Sequence, residues 1–441
     1  MNDLLEIREF EIITSNEDYK DGEYYKYLKD NLFNELEEFI HTFQGCNESE
    51  AIDFLKITSR KGIGKVIQAK NYVGLIQMKN GFKVQVLPKI SFDNEDTGNK
   101  RTKEIFIKML RSMKDFPSKV FNNANLKMDK MNLYEIFINM YIQEVRELTK
   151  KGIRSAYIQE EENLNFYKGK LIVSNHIKRN IVHKERFYVR YDEFQVNRPE
   201  NRLIKSTLLK LQKLSSSSEN KREIIKLLSY FEMVDLSRNY IKDFSKIVIN
   251  RNNKHYEDLM RWSKVFLMNR SFTTFAGDTT ARALLFPMEK VFEAYVAQNV
   301  RRVFNDMDWE ISTQDKGYYL FDTPMKFALK PDIVITCRDQ GGRQIIMDTK
   351  WKSLVDIPNK NYGISQTDMY QMYAYSKKYK TSEIWLLYPE NEEMKQVKDI
   401  SFKSEDNVTV RLFFVDVAHI EESMIELKKR IKQHKQYYES L

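Results

Sequence analysis

Cysteine, glycine, proline and histidine are all scarce in this chain, with 2, 14, 8 and 6 copies in 441 residues. Cys46 and Cys337 lie far apart in sequence. That excludes a disulfide framework or a cysteine-ligated zinc site and fits a reducing compartment. Few glycines and prolines favour long helices and tight hairpins over extended loops. The histidines are scattered with no metal-ligand spacing. No apolar run approaches the roughly 20 residues that span a bilayer. The first six residues have neither the basic nor the apolar region of a secretion signal. A soluble, cytoplasmic protein without membrane contact is expected. A phosphate-binding loop is also missing. The nearest stretch, Gly62-Ile63-Gly64-Lys65-Val66, lacks both the Ser/Thr after the lysine and the required spacing, and reads as a strand-entry turn. No nucleotide-driven motor is visible in this chain.

What is present points to folded domains. Hydrophobic residues make up 42% and aromatics 13%, enough apolar side chain to exclude global disorder. Single cores rarely grow past about 250–300 residues, so two or three domains are expected. The net charge of +9 is compatible with a polyanionic partner, but the basic residues are interleaved with acids. The concentrated run Lys428-Lys429-Arg430-Ile431-Lys432-Gln433-His434-Lys435 reads either as a nucleic-acid contact or as a helix end whose charge suits its dipole.

Periodicity predicts a strand over 5–14 and a helix over 24–43, with Leu28, Leu32, Phe33, Leu36, Ile40 and Phe43 on one face. Strands over 72–78 and 82–87 flank Asn80-Gly81, a strong hairpin signal. The polar stretch 93–101 marks a domain boundary near residue 100. Helices are predicted over 102–114 and 131–150, short strands between Gly152 and Val173, and another strand between Arg186 and Phe194. A helix should follow residues 197–201, with a serine linker at 215–218 and further helices over 221–233 and 256–269. The last section reads helix (284–304), strands (318–323, 331–337, 344–349), helix (366–379), strands (383–388, 409–416) and helix (420–436). That order predicts a mixed sheet flanked by helices.

Two of these strands carry charges that a buried strand does not normally hold. Asp332 opens the first strand, and residues 339–342 form a turn. Asp348 and Lys350 end the returning strand on one face, because side chains at i and i+2 share a face. If the strands pair, Asp332 reaches that face as well. Two such carboxylates repel unless a divalent cation lies between them. Magnesium takes hard oxygen ligands and keeps waters, one of which can be the nucleophile. Lys350 would orient that water or stabilise charge on a phosphate. Glu293, on the preceding helix, can supply a third carboxylate, with Glu289 one turn earlier as its competitor. Gln371 and Tyr375 share one helix face downstream. Asp-x-Lys or Pro-Asp alone is commonly a solvated strand end or a turn. The ordered set is rarer, and it points to a magnesium-dependent phosphodiester hydrolase.

This constellation resembles the PD-(D/E)xK nuclease superfamily, with the Gln-x-x-x-Tyr element of its RecB-like branch. More specifically, Phe292-Glu293, Lys330-Pro331-Asp332-Ile333, Asp348-Thr349-Lys350-Trp351-Lys352, Tyr370-Gln371-Met372-Tyr373-Ala374-Tyr375 and Leu387-Tyr388-Pro389 look like the McrC family. That family provides the nuclease subunits of McrBC-type modification-dependent restriction systems. Tyr191-Asp192-Glu193-Phe194 and the run from Glu200 to Leu208 look like its middle region, so the match covers about 102–441. The resemblance implies an α+β multidomain chain in three parts. Ahead of the matched region, residues 1–100 look longer than the short form of the family and read as a β-rich domain binding DNA or the partner. Residues 101–270 would be a stalk-like helical and β-hairpin region that binds and stimulates a GTPase. Residues 271–441 would be the α/β PD-(D/E)xK endonuclease domain. It further implies Mg2+, modified or site-specific DNA, and a hexameric McrB-like AAA+ GTPase partner. Asp332, Asp348 and Glu293 would bind metal, with Lys350, Gln371 and Tyr375 completing the site. The partner-stimulating segment would lie in about 152–200, where Lys178, Arg179, Asn180, His183, Lys184 and Arg186 concentrate; a solvated β-hairpin face is the plain alternative. The functional alternative is a chain that mainly activates and assembles the GTPase, with the nuclease fold secondary.

Overall fold

The computed structural model describes residues 4–19, 24–45, 54–78, 80–90, 99–114, 116–117, 131–268, 282–305, 309–337, 342–397 and 399–439. The predicted turn at 339–341, most of the 93–101 loop and the expected boundary at 270 lie outside them. The chain divides into two compact units. One joins 1–116 and 128–130 to 279–441, and the other holds 117–127 and 131–278. The division differs from three consecutive segments, since residue 100 falls inside the first unit.

The first unit joins its two chain segments through a sheet. Its order is Leu4–Arg8, Lys83–Leu87, Tyr72–Gln77, Arg282–Pro287. The 72–77/83–87 pair is the predicted hairpin, and Gly81 takes the left-handed conformation that its turn requires (φ 88°). Arg282–Pro287 pairs antiparallel with Tyr72–Gln77. Gly74 permits that approach, because a Cβ there would lie 1.9 Å from the Leu284 carbonyl oxygen. The helix expected from 284 therefore starts later, at Met288, after a strand that ends on Pro287. Two further expectations are corrected in the same way. Residues 5–14 form two strands, Leu4–Arg8 and Ile12–Thr14, broken at Phe10 with φ 69°. Residues 24–43 begin with the strand Tyr25–Tyr27, and the helix runs Asp30–Gly45. Ile12–Thr14 and Tyr25–Tyr27 join Gly64–Ala69 and Leu55–Arg60 in a second four-stranded sheet. Gly62 and Gly64 lie in the hairpin turn of that sheet.

A six-stranded mixed sheet carries the candidate site, in the order Trp309–Thr313, Ile333–Cys337, Arg343–Thr349, Glu383–Pro389, Thr409–Val415, Ser401–Lys403. The three central pairings follow the charge motif: 333–337 runs antiparallel to 343–349, while 383–389 runs parallel to both 343–349 and 409–415. Glu383–Pro389 is buried throughout, as expected for a near-continuous apolar run inside a parallel sheet. Met288–Val303 and Gln366–Tyr379 pack against the 343–349 strand, and Ile420–Glu439 packs against 409–415. Val334, Ile346, Ile384, Leu386 and Leu412 form one core with Met372, Tyr375 and Tyr379 of the 366–379 helix. The period of two then puts Asp348 on the same sheet face as Ile346, toward that helix.

The second unit packs Leu133–Lys151, Pro199–Leu214, Ser218–Leu228 and Glu257–Met268 around Phe137, Tyr141, Trp262 and Phe266. Trp262 and Phe266 stack at 5.4 Å, and Tyr141 meets Phe266 edge-on at 5.7 Å. The serine run does more than link helices. Ser217 caps the 218–228 helix by accepting from the Asn220 N–H. Ala156–Leu164, Phe187–Gln195 and Lys170–Leu171 form an antiparallel sheet, joined by the helix Val173–Asn180.

Candidate active site

The sheet brings the charges of two sequence motifs together at one end of neighbouring strands. Asp332 sits one residue before its strand, and its Oδ2 accepts from the Thr349 N–H at 2.8 Å and the Thr349 hydroxyl at 2.6 Å. Both bonds come from the residue between Asp348 and Lys350, so the second motif holds the first in place. Asp348 is 2% exposed. The Lys350 ammonium lies 2.6 Å from its Oδ2, a charge-assisted contact with a buried oxygen.

Lys350 is itself positioned from the helix. Its Nζ donates to Gln371 Oε1 at 3.1 Å, and Gln371 Nε2 donates to the buried Tyr375 hydroxyl at 2.7 Å. Gln371 thus uses both ends of its amide, which the i, i+4 spacing permits. The Lys350 backbone N–H donates to the Leu387 carbonyl at 2.9 Å and fixes the residue at the strand end.

Glu293 and Glu289 occupy successive turns of the Met288–Val303 helix. Gln314 donates its side-chain amide to Glu293 and its backbone N–H to the Asp332 carbonyl at 3.0 Å, tying the two acidic residues together. Glu289 accepts from Asn71 at 2.9 Å, although its charge also reaches Asp332. Gln314 and Thr349 are the partners that sequence reasoning missed. Thr349 was legible as the middle residue of Asp-Thr-Lys. Gln314 gave no signal, because its strand, Trp309–Thr313, was not predicted.

The electrostatics follow from burial and crowding of like charge. Burial, then Asp332, pushes Asp348 up to about 7 despite Lys350. Burial, then Asp332, likewise pushes Glu293 up to about 7. Burial raises Asp332 against the two Thr349 bonds. Burial opposes the Lys350 charge, but Asp348 and the farther Asp368 and Asp332 outweigh it and hold its pKa above the usual lysine value. Among the described residues, no three acidic, histidine or cysteine side chains are gathered closely enough to hold a metal ion.

A second buried network underlies the strand end. Trp351 Nε1 donates to the Glu9 carboxylate at 3.1 and 3.0 Å, and Lys89 Nζ donates to the Trp351 carbonyl at 2.8 Å. Trp351 therefore anchors the N-terminal segment. Lys352 pairs with Asp368 at 2.6 Å. Burial pushes Glu9 up to about 7.

The other candidates lie elsewhere. Lys178 and Arg179 sit on the Val173–Asn180 helix rather than on a β-hairpin face. Arg179 lies over the Tyr188 ring at 5.0 Å. His183 pairs with Glu185 at 3.2 Å, and Lys184 and Arg186 complete the turn before Phe187–Gln195. Asn180 is spent internally, bonded to Asn163 and to the Arg186 carbonyl. In the basic C-terminal run, Lys428 donates to the Val303 carbonyl and Arg430 reaches Glu426 and Asp399. No described helix is long and apolar enough to cross a membrane.

The family description "McrBC 5-methylcytosine restriction system component" matches residues 67–389. No curated protein sequence matches the chain. Among solved structures, it is similar to a chain of a Thermococcus gammatolerans assembly described as tetradecameric, of McrB AAA+ hexamers with bound McrC. The identity is 17%, over 97% of this chain and 100% of that one, with a TM-score of 0.74. A chain of the Thermococcus gammatolerans McrBC complex also matches at 17% identity, over 68% of this chain and 88% of that one, with a TM-score of 0.50.

Proposed function

The chain belongs to the family of McrBC 5-methylcytosine restriction system components, and from that premise we propose that it is the McrC-type endonuclease subunit, of PD-(D/E)xK type and dependent on Mg2+. The observation that carries the reading is Lys350, held between Asp348 and Gln371 while Asp332 is fixed by the intervening Thr349. Such buried charge costs stability unless it is used.

Hard oxygen donors suit magnesium, which needs only one or two protein carboxylates beside waters and substrate phosphate. Asp332 and Asp348, whose like charges crowd each other, would hold it, with Glu293 nearby. The ion supplies Lewis acidity and an acidified water at neutral pH. Thr349 keeps Asp332 in one rotamer by two hydrogen bonds. Gln371, braced on Tyr375, aims the Lys350 ammonium. Lys350, kept protonated by its acidic neighbours, is set to orient water and to offset charge growing on the phosphate. The test is Asp348→Ala and Lys350→Ala in the complex reconstituted with an AAA+ GTPase partner. Cleavage of duplex DNA at the wild-type rate by both variants would refute the assignment.

The likeness to an assembly containing McrB AAA+ hexamers supports a hexameric AAA+ partner for this chain, here read as a GTPase, and the family's 5-methylcytosine description supports modified or site-specific DNA as substrate. A second role, stimulation of that GTPase, is favoured by the second unit. Its Val173–Asn180 helix carries Lys178 and Arg179 beside the exposed Ile177, Ile181 and Val182. If Lys178→Glu with Arg179→Glu leaves the partner's GTP turnover unchanged, the stimulating surface is not here.

A further inference from the structure

Between Gln314 and Lys330 the chain leaves the six-stranded sheet as a separate two-stranded hairpin, Tyr318–Asp322 and Met325–Leu329. Both of its feet stand on the candidate site. Gln314 bonds Asp332 and Glu293, and the returning strand runs through Leu329 and Lys330 directly into Asp332.

Its surface is unusual for a solvated hairpin. Phe321, Met325 and Phe327 are 56%, 68% and 72% exposed. Phe321 and Phe327 meet edge-on at 5.9 Å. Phe327 also has φ 59°, a left-handed conformation that is costly for an aromatic residue, and the ladder lapses there opposite Leu320. Strain of this kind clusters at sites that clamp a ligand. The charges are sorted as well. Asp315 accepts from the Tyr379 hydroxyl at 3.0 Å, and Asp322 pairs with Lys378 at 2.7 Å. Lys316, Lys326 and Lys330 are exposed, and none forms an ion pair among the described residues. The hairpin therefore presents unpaired positive charge beside large apolar side chains.

Lysine is depleted at protein–protein interface cores, whereas aromatic side chains are enriched there. The combination found here suits duplex DNA, with lysines on phosphates and apolar wedges against a groove or base step. We propose that this hairpin is the element that grips duplex DNA beside the scissile phosphate. The position of the cut rests on the endonuclease reading; the binding does not.

The two are separated by measuring binding without cleavage. The full chain carrying Asp348→Asn is titrated with a fluorescent mixed-sequence duplex containing 5-methylcytosine. The same titration is made with Phe321→Ser plus Phe327→Asn, and separately with Lys326→Glu. Asparagine tolerates the left-handed backbone, so Phe327→Asn removes only the apolar side chain. Affinity is expected to fall about tenfold in each, and the lysine variant is expected to show a shallower salt dependence. Unchanged affinity in both would overturn the proposal. So would unchanged affinity with altered assembly mass, which would make the hairpin a protein contact. If the double variant does not fold, the exposed Lys326→Glu decides alone. A wild-type chain that binds DNA but never cuts it, even with its partner, would sink the endonuclease reading and leave the hairpin result standing.

Discussion

Two buried carboxylates, one in each unit, are treated in opposite ways. In the second unit Glu135 is 3% exposed and accepts from Ser215 Oγ, Ser216 N–H, Ser216 Oγ and Asn220 Nδ2 at 2.6–3.0 Å. It staples the serine run to the Leu133–Lys151 helix, and every donor near it is used. In the first unit Asp348 is equally buried, yet it faces the Lys350 ammonium at 2.6 Å and the like charge of Asp332. A fully bonded buried carboxylate is part of the fold. One crowded by a second carboxylate carries a strain that a ligand relieves.

The contrast can be broken by mutation. The largest effect belongs to catalysis: Asp348→Ala or Lys350→Ala should lower DNA cleavage by ~10³-fold or more in the partner complex while GTP turnover is retained. Single-turnover cleavage beside a GTPase assay reads both. Next is Glu135→Ala, which leaves four donors unanswered and should cost ~2–4 kcal/mol in denaturant unfolding, without changing metal dependence. Lys178→Glu with Arg179→Glu should lower stimulated GTP turnover by about tenfold, since the two charges act at a surface rather than in a core. If cleavage falls without any change in GTP turnover, the division of labour between the units is wrong.

The smallest effect is the most diagnostic. Asp348 and Glu293 have folded pKa values near 7, above their unfolded values. The folded, metal-free protein therefore holds protons that the unfolded chain releases, and its stability falls as pH rises from about 4 toward 7. Asp348→Asn removes the Asp348 share of that loss. It should raise the metal-free Tm by a few degrees at pH 8 and have almost no effect at pH 4. A variant destabilised at pH 8, as Glu135→Ala is expected to be, would place Asp348 among the structural carboxylates.

Much of the candidate site could be read from sequence because its residues lie within short motifs. Asp-Thr-Lys carries its own geometry through the period of two, and Gln371 with Tyr375 through the helical period. Glu293 against Glu289 could not be separated by periodicity, because both share a helix face. Gln314 separates their surroundings, and it reaches Glu293 only through the folded sheet. The same limit explains the missed strand at 282–287. Its apolar run continues smoothly into the helix, and only pairing with Gly74's strand makes it extended. The basic residues of 152–200 were found, but their helix was not, because Val173–Asn180 has only one buried residue, Asn180, to mark a face.

The sequence by itself determined the local chemistry: which strands end in charge, which helices present an amide and a hydroxyl together, and that no phosphate loop is carried here. Those properties depend on neighbours within a few residues, where backbone geometry is set by steric rules. Only the tertiary structure decided that residues 4–8, 72–87 and 282–287 form one sheet, and that Glu9 lies under Trp351. It likewise decided that the Asp332 and Asp348 carboxylates compete for charge. Those depend on long-range pairing and on the exclusion of water, which no short segment specifies.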